Sequence, residues 1–154
     1  MIYRLLFILL FTISTNAQIV SVGVDISNAI QGSNVNVPSL DIHAKIASIT
    51  NNREIGFELE YFKEIEYFSY GVFFNHVIRL NKVELALGGE GLMIIRNDLG
   101  SLAYGFNGEV RYFFTDKLGV SYNYNIRRRT DLQLLYYDGR FVKSGFINLI
   151  YKWK

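Results

Sequence analysis

The sequence predicts an all-β chain: an eight-stranded antiparallel up-and-down transmembrane β-barrel preceded by an export signal. Three observations predict it. Apolar and polar residues alternate with period two in eight segments, and the connections between segments vary between very short turns and longer loops. The apolar face of those segments carries the large rings, while the polar face carries charges and small residues. Period two marks strands, because successive side chains point to opposite faces of a sheet. An even number of amphipathic strands with short turns at one end is the pattern of a membrane-crossing barrel.

Residues 1–17, MIYRLLFILLFTISTNA, read as a signal peptide. Arg4 gives the positive start, Leu5 to Ile13 the apolar centre, and Thr15-Asn16-Ala17 a small-x-small cleavage site before Gln18. The apolar run is about half the roughly 20 residues that a spanning helix needs. No later stretch reaches that length without a charge. A membrane form of residues 18–154 must then be a barrel, since only helices and closed sheets satisfy their backbone in lipid.

The eight segments fall near 18–27, 38–50, 54–63, 67–80, 83–95, 101–114, 118–130 and 141–153. In the first, Val20, Val22, Val24 and Ile26 alternate with Ser21, Gly23, Asp25 and Ser27. The second sets Leu40, Ile42, Ala44 and Ile46 against Asp41, His43 and Lys45. The third sets Ile55, Phe57, Leu59 and Tyr61 against Gly56, Glu58 and Glu60. The fourth shows Phe68, Tyr70 and Phe74 with Gly71 on the other phase, and the fifth has Ala86 and Gly88 on its polar face. The sixth opposes Tyr104, Phe106, Val110 and Tyr112 to Gly105, Asn107, Glu109 and Arg111. The seventh opposes Leu118, Val120, Tyr122, Tyr124 and Ile126 to Gly119, Ser121, Asn123 and Asn125. The eighth ends on Tyr151 and Trp153 and has Ser144 on its polar phase.

The turns test this pattern. A two-residue hairpin at Asn51-Asn52 pairs Ile46 with Phe57 and Lys45 with Glu58. Another at Asn81-Lys82 pairs Leu80 with Val83 and Arg79 with Glu84, and a three-residue turn at 115–117 pairs Phe114 with Leu118. Apolar meets apolar and polar meets polar each time, as a fixed register demands. Asp138-Gly139 is also a tight-turn signal, and alternation continues through Thr130, Leu132, Leu134 and Tyr136. Strands seven and eight could thus project as a long hairpin pairing Ile126 with Tyr151, in competition with a wider loop.

Alternation does not say which face is inside. A secreted lipocalin-like barrel would turn the apolar face inward around a small ligand. The apolar face, however, carries Phe57, Tyr61, Phe68, Tyr70, Phe74, Tyr104, Phe106, Tyr112, Phe114, Tyr122, Tyr124, Tyr151 and Trp153. The interior of eight strands is just wide enough for side chains, so that bulk belongs outside. His76 falls on the outward phase, near the inner interface, unless the fourth strand contains a bulge.

Composition narrows the function classes. Aromatic residues make up 16%, with 13 Gly, 1 Pro and no Cys, which favours strands without disulfides. A net charge of +2 gives no argument for nucleic acid as a partner. No metal-ligand spacing and no glycine-rich phosphate loop is present, so neither metal nor cofactor is expected.

In signal peptide, strand count, loop alternation and aromatic belts, the chain resembles the small eight-stranded outer-membrane proteins of Gram-negative bacteria, the OmpX and OmpA-barrel type. The segment Ile147 to Lys154 resembles the final strand read by the barrel-assembly machinery, but it ends in Lys154 rather than an aromatic. The resemblance implies an outer-membrane location and a monomer, with either a surface or structural role or, in some members, lipid A-modifying chemistry by Ser with His. Such chemistry needs a base within hydrogen-bond reach of the nucleophile. The chain offers His43 and His76; His43 is expected to face inward beside Glu60, His76 lies in the wrong leaflet, and Ser27 has no nearby His. Catalysis is therefore not expected.

The interior is expected to hold Asp25, Asp41, Glu58, Glu60, Glu84, Glu90, Glu109, His43, Lys45, Arg79, Arg111, Arg127 and Lys152. The hairpins bring Lys45 to Glu58, His43 to Glu60 and Arg79 to Glu84, which reads as a plug of paired charges rather than an ion path. At the outer edge, Arg96, Arg127, Arg128, Arg129, Arg140 and Lys143 form a basic arc suited to lipopolysaccharide phosphates. Leu134, Leu135, Tyr136 and Tyr137 are candidate contacts for an extracellular protein partner. Loop 28–37, before Pro38, carries no ligand signature.

Overall fold

The computed structural model describes residues 19–26, 40–63, 66–96, 99–134 and 140–153. Eight strands follow one another: β1 (Ile19–Asp25), β2 (Asp41–Thr50), β3 (Arg53–Phe62), β4 (Tyr67–Leu80), β5 (Val83–Arg96), β6 (Leu99–Phe113), β7 (Leu118–Arg129) and β8 (Arg140–Lys152). Each is antiparallel to its neighbours in sequence, and β1 pairs with β8 from Ile19↔Lys152 to Asp25↔Phe146, so the sheet closes on itself. Closure leaves no free sheet edge. The signal segment 1–17, loop 28–37 and residues 135–139 lie outside the described residues.

The three short connections share one rim. At the β2–β3 turn, Thr50 stands opposite Arg53, and Asn51 and Asn52 have φ of 49° and 64°. Two consecutive left-handed residues make the hairpin turn whose twist matches that of the strands, and Asn tolerates this conformation better than most residues. At the β4–β5 turn, between Leu80 and Val83, Asn81 alone is left-handed (φ 58°). At the third turn the Phe114 amide donates to the Leu118 carbonyl (3.1 Å), and the Thr115 hydroxyl accepts from the Leu118 amide (2.9 Å). These turns fix the ladders in the register that the alternation predicts.

Of the two β7–β8 connections that the sequence leaves open, the structure does not form the long hairpin. β7 stops at Arg129, a 3-10 helix runs Thr130–Leu134, and Ile126 stands opposite Lys143 rather than Tyr151. The reason lies at the other end of the strand. β8 must also pair with β1 down to Lys152, so Leu118↔Tyr151 sets the register, and sliding it toward Ile126↔Tyr151 would pull β8 away from its closing partner.

The faces sort as volume predicts. Phe106 is 75% exposed on the outer wall, with Leu102, Phe141, Leu149 and Leu87 also exposed, while Glu54, Asn75, Asn123 and Asn148 are fully enclosed. The apolar face is therefore the outer one, which overturns the lipocalin-like alternative. His76 points outward from a ladder that runs without a bulge, opposite Arg53 on β3 and Leu87 on β5. Some rings that simple alternation hides point inward: Phe62, Tyr67, Phe73, Phe113 and Phe146. They fit because a glycine often stands beside a large inward side chain. A β-carbon on Gly56 would lie 2.5 Å from the Phe73 ring, one on Gly105 2.9 Å from Arg127 Cα, and one on Gly23 2.1 Å from Asn148 Oδ1.

Candidate functional site

The lumen is built from inward positions in three sets. Nearest the short turns, Ile19, Ile49, Val77, Ala86, Phe113 and Ile150 form an apolar layer. Toward the far rim, Phe62, Tyr67, Leu92, Ile94 and Ala103 form a second. The third, charged set is interleaved with both: Glu54 stands opposite Ile49, Glu109 opposite Ala86 and Asp41 opposite Phe62, and Glu84 lies beyond Ala86 at the short-turn rim. Among the described residues, eight carboxylates are buried (Asp25, Asp41, Glu54, Glu58, Glu60, Glu84, Glu90 and Glu109) against Lys45, Arg111, Arg127 and His43. Such a section is tolerable only if its charges are paired and hydrogen-bonded.

Two arginines organise it. Arg111, on β6, donates to Glu54 on β3 (2.7 Å) and to Glu109 (2.9 Å), and lies 3.8 Å from Glu84 on β5. Asn75 donates to the same Glu54 (2.7 Å), and Lys45 adds a cation 3.7 Å from Glu109. Glu84 also accepts from Lys152 (2.9 Å) and pairs with Arg79 (3.5 Å) at the short-turn rim. Arg127, on β7, pairs with Glu60 and Glu90 and lies 3.5 Å from Glu58. Glu58 in turn meets His43 Nε2 at 3.2 Å.

The backbone registers place Lys45 opposite Glu58 and His43 opposite Glu60, as the hairpin predicts. The side chains nonetheless choose other partners: Lys45 turns to Glu109 across the barrel and His43 to Glu58. Only Arg79 pairs with the residue opposite it, Glu84. The cause is width. Eight strands enclose a lumen about as wide as the side chains that fill it, so an arginine reaches carboxylates on opposite walls. Glu54, which the sequence reading omits from the interior, holds the central position. Its signal was available: it shares the phase of Gly56, Glu58 and Glu60.

Basic groups also cover the inward rings. Lys45 sits 4.9 Å from the centroid of Phe73, Lys152 5.1 Å from Phe113, Arg129 4.4 Å from Tyr67, and the His43 ring 4.5 Å from Phe146. A cation over a ring face gains electrostatic attraction where water is scarce.

The basic arc at the far rim divides by phase. Arg128 faces outward, donating to the Tyr104 hydroxyl at 2.8 Å, and Lys143 is exposed on the same wall, beside Ile126. Arg127 belongs to the lumen. Arg129 faces inward, paired with Asp131 and stacked on Tyr67, so it is not an outer contact. Arg96 has the inward phase at the rim, half-buried and opposite Tyr67 and Leu99. The Arg140 and Leu134 side chains, and all of Leu135, Tyr136 and Tyr137, lie outside the described residues. Among the described residues no group of His, Asp and Glu is arranged to hold a metal ion. His43 is buried on Glu58 and His76 stands alone of its kind on the outer wall.

No protein-family model and no curated protein matches the sequence. Solved structures do. The backbone structure of the Yersinia pestis outer membrane protein Ail in a phospholipid bilayer nanodisc superposes with a TM-score of 0.61 at 10% identity, covering 90% of this chain and 99% of that one. The crystal structure of Neisserial surface protein A (NspA) gives a TM-score of 0.54 at 14% identity, covering 89% of this chain and 96% of that one. The likeness is one of fold: this chain shares the closed eight-stranded barrel of these two outer-membrane proteins.

Proposed function

We propose that the chain is a monomeric, non-conducting outer-membrane barrel whose role is structural or interactive at its far rim, where it contacts lipopolysaccharide. In this reading residues 1–17 direct export, the short-turn rim faces the periplasm, and the final strand through Trp153 is read by the barrel-assembly machinery. The observation that carries it is the inverted build: an apolar, aromatic outer wall around a lumen filled by charged side chains and two apolar clusters. A wall of this kind suits lipid, and a filled lumen leaves no continuous water path.

For the contact, Arg128 and Lys143 are the residues of the basic arc that face outward beside rings, Tyr104 for Arg128 and Phe141 and Phe106 nearby. Arginine supplies paired donors for phosphate and lysine a point charge. The test is lipopolysaccharide binding by protein refolded in detergent. Arg128→Ala and Lys143→Ala should each lower affinity by about 1.5 kcal/mol, roughly tenfold, with the loss shrinking in high salt. Binding that is unchanged in the double variant discards this contact. Arg129→Ala should leave binding intact, since its guanidinium is committed to Asp131 and Tyr67.

A further inference from the structure

Neither the lumen nor the far-rim contact uses the outer wall of β2, β3 and β4 near the short turns. Higher on this wall the outward side chains are Ile42, Leu59, Tyr61 and Val72; at the rim they become Ser48, Thr50, Arg53 and His76. A notch of about 410 Å³ opens there, lined by Ser48, Thr50, Asn51, Arg53, Ile55 and Phe74.

The ladder sets the geometry of the two basic residues. The Val77 amide donates to the Asn52 carbonyl at 2.7 Å, which makes 52/77 a hydrogen-bonded pair. The next pair, Arg53↔His76, is then a non-hydrogen-bonded one, in which facing side chains approach most closely. Two basic groups so placed repel whenever the imidazole is protonated. The buried cations Lys45, Arg111 and Arg127 all have carboxylate partners, yet among the described residues neither Arg53 nor His76 has one. An anion between them would relieve both conditions. Two register steps toward the barrel's middle, Ile55 faces Phe74, so the notch has a basic, hydroxyl-bearing mouth and an apolar floor. That polarity matches a ligand with one anionic head group and a hydrocarbon tail.

We propose that this notch binds a glycerophospholipid of the periplasmic leaflet. The phosphodiester lies between Arg53 and His76, the Ser48 and Thr50 hydroxyls donate to its oxygens, and an acyl chain runs over Ile55 and Phe74. A guanidinium and two hydroxyls satisfy a phosphodiester's free oxygens without demanding a second negative charge. The proposal rests on the membrane reading above, because only that places the rim at the depth of phospholipid head groups.

Native mass spectrometry of the refolded, delipidated barrel tests it, with dioleoyl-phosphatidylglycerol, dioleoylglycerol and inorganic phosphate as probes. The expected result is one retained phosphatidylglycerol per barrel, no retained dioleoylglycerol, and no displacement by millimolar phosphate. Arg53→Gln and His76→Leu, made separately so that each reports even if the other fails to fold, should each weaken retention at least tenfold. Lys117→Ala, in the exposed β6–β7 turn on the same rim but across the barrel, should leave retention unchanged. Equal retention in a folded Arg53→Gln or His76→Leu barrel overturns the proposal, as does equal retention of dioleoylglycerol or displacement by inorganic phosphate, which would make this a soluble-anion site. Failure of the membrane reading shows separately, as a wild-type protein that is water-soluble and runs identically on gels with and without boiling.

Discussion

Replacing Arg111 by Leu removes the cation that joins three strands. Its guanidinium lies 2.7 Å from Glu54 and 2.9 Å from Glu109, and all three side chains are almost fully enclosed. With charge centres about 4 Å apart and an effective dielectric of about 20, each such attraction is on the order of 4 kcal/mol. Desolvation of the guanidinium opposes part of this, and the measured cost of removing one partner of a buried pair is about 3–5 kcal/mol. Glu109 would keep Lys45 at 3.7 Å, but Glu54 would keep only the Asn75 amide. The penalty therefore concentrates on Glu54. Arg111→Leu should cost about 3–5 kcal/mol, whereas Glu54→Gln alone should cost about 1 kcal/mol because Arg111 retains Glu109 and Glu84. The double variant should fall short of the sum by about 2 kcal/mol, the coupling expected of residues in direct contact. Urea titration in detergent or vesicles measures this, read by Trp153, the chain's one tryptophan, and by the cold gel mobility of the folded form. For an m-value of about 2 kcal/mol/M, the single Arg111 variant shifts the midpoint by roughly 2 M. Additive effects, or a loss below about 1 kcal/mol, would refute the claim that Glu54 is held chiefly by Arg111.

The remaining predictions concern packing, turns and conduction. Gly88→Ala should abolish the folded gel band or cost several kcal/mol, since its β-carbon would lie 1.9 Å from the Phe74 carbonyl oxygen; Gly91→Ala, with nothing within 4 Å, should change stability by about 0.5 kcal/mol or less. At the β2–β3 turn, Asn52→Val should cost about 1–2 kcal/mol in the same titration, because a branched residue resists a φ of 64°, and Asn52→Gly should match or exceed the parent. In planar bilayers the parent protein should give no discrete conductance; stepwise currents would contradict a lumen filled by paired charges and the two apolar clusters.

The strand order and three hairpin registers were legible in the sequence because each is a local matter: a period of two, and an Asn-rich or short turn that fixes which residues meet. The outward phase of His76 was legible for the same reason. Three things were not. The partner of Lys45 lies on β6, and no spacing along the chain encodes a contact across a lumen. The inward rings Phe73 and Phe146 were hidden because each interrupts the expected polar phase, and the glycine that makes room for such a ring sits on a neighbouring strand, as Gly56 does for Phe73. The course of the chain beyond β7 was left open, because the alternation beyond Arg129 is locally as strand-like as what precedes it. Barrel closure decides that point, and closure is a property of β1 and β8.

The charged section raises a question of purpose, since a buried ion network often stabilises no better than apolar side chains of the same volume. Register gives a reason to keep it. Sliding any one strand by a single residue turns its whole inward set outward. In β6 that would move Glu109 and Arg111 onto the outer wall, and in β3 it would move Glu54, Glu58 and Glu60. In the membrane reading, each arginine so exposed near the bilayer midplane costs about 2–4 kcal/mol, and each carboxylate somewhat less. It would also leave behind partners that had been neutralised in place. An apolar lumen would carry no such penalty, because Leu or Phe is equally at home on either face of a wall in lipid. The inward charges thus separate the native register from its one-residue neighbours by several kcal/mol per strand. The inward glycines add to the separation, since a slipped strand would bring a side chain to the position that Gly56 or Gly88 leaves open. The lumen's chemistry, in this view, is what makes the barrel single-valued, and that frees the far rim and the outer wall to carry contacts with other molecules.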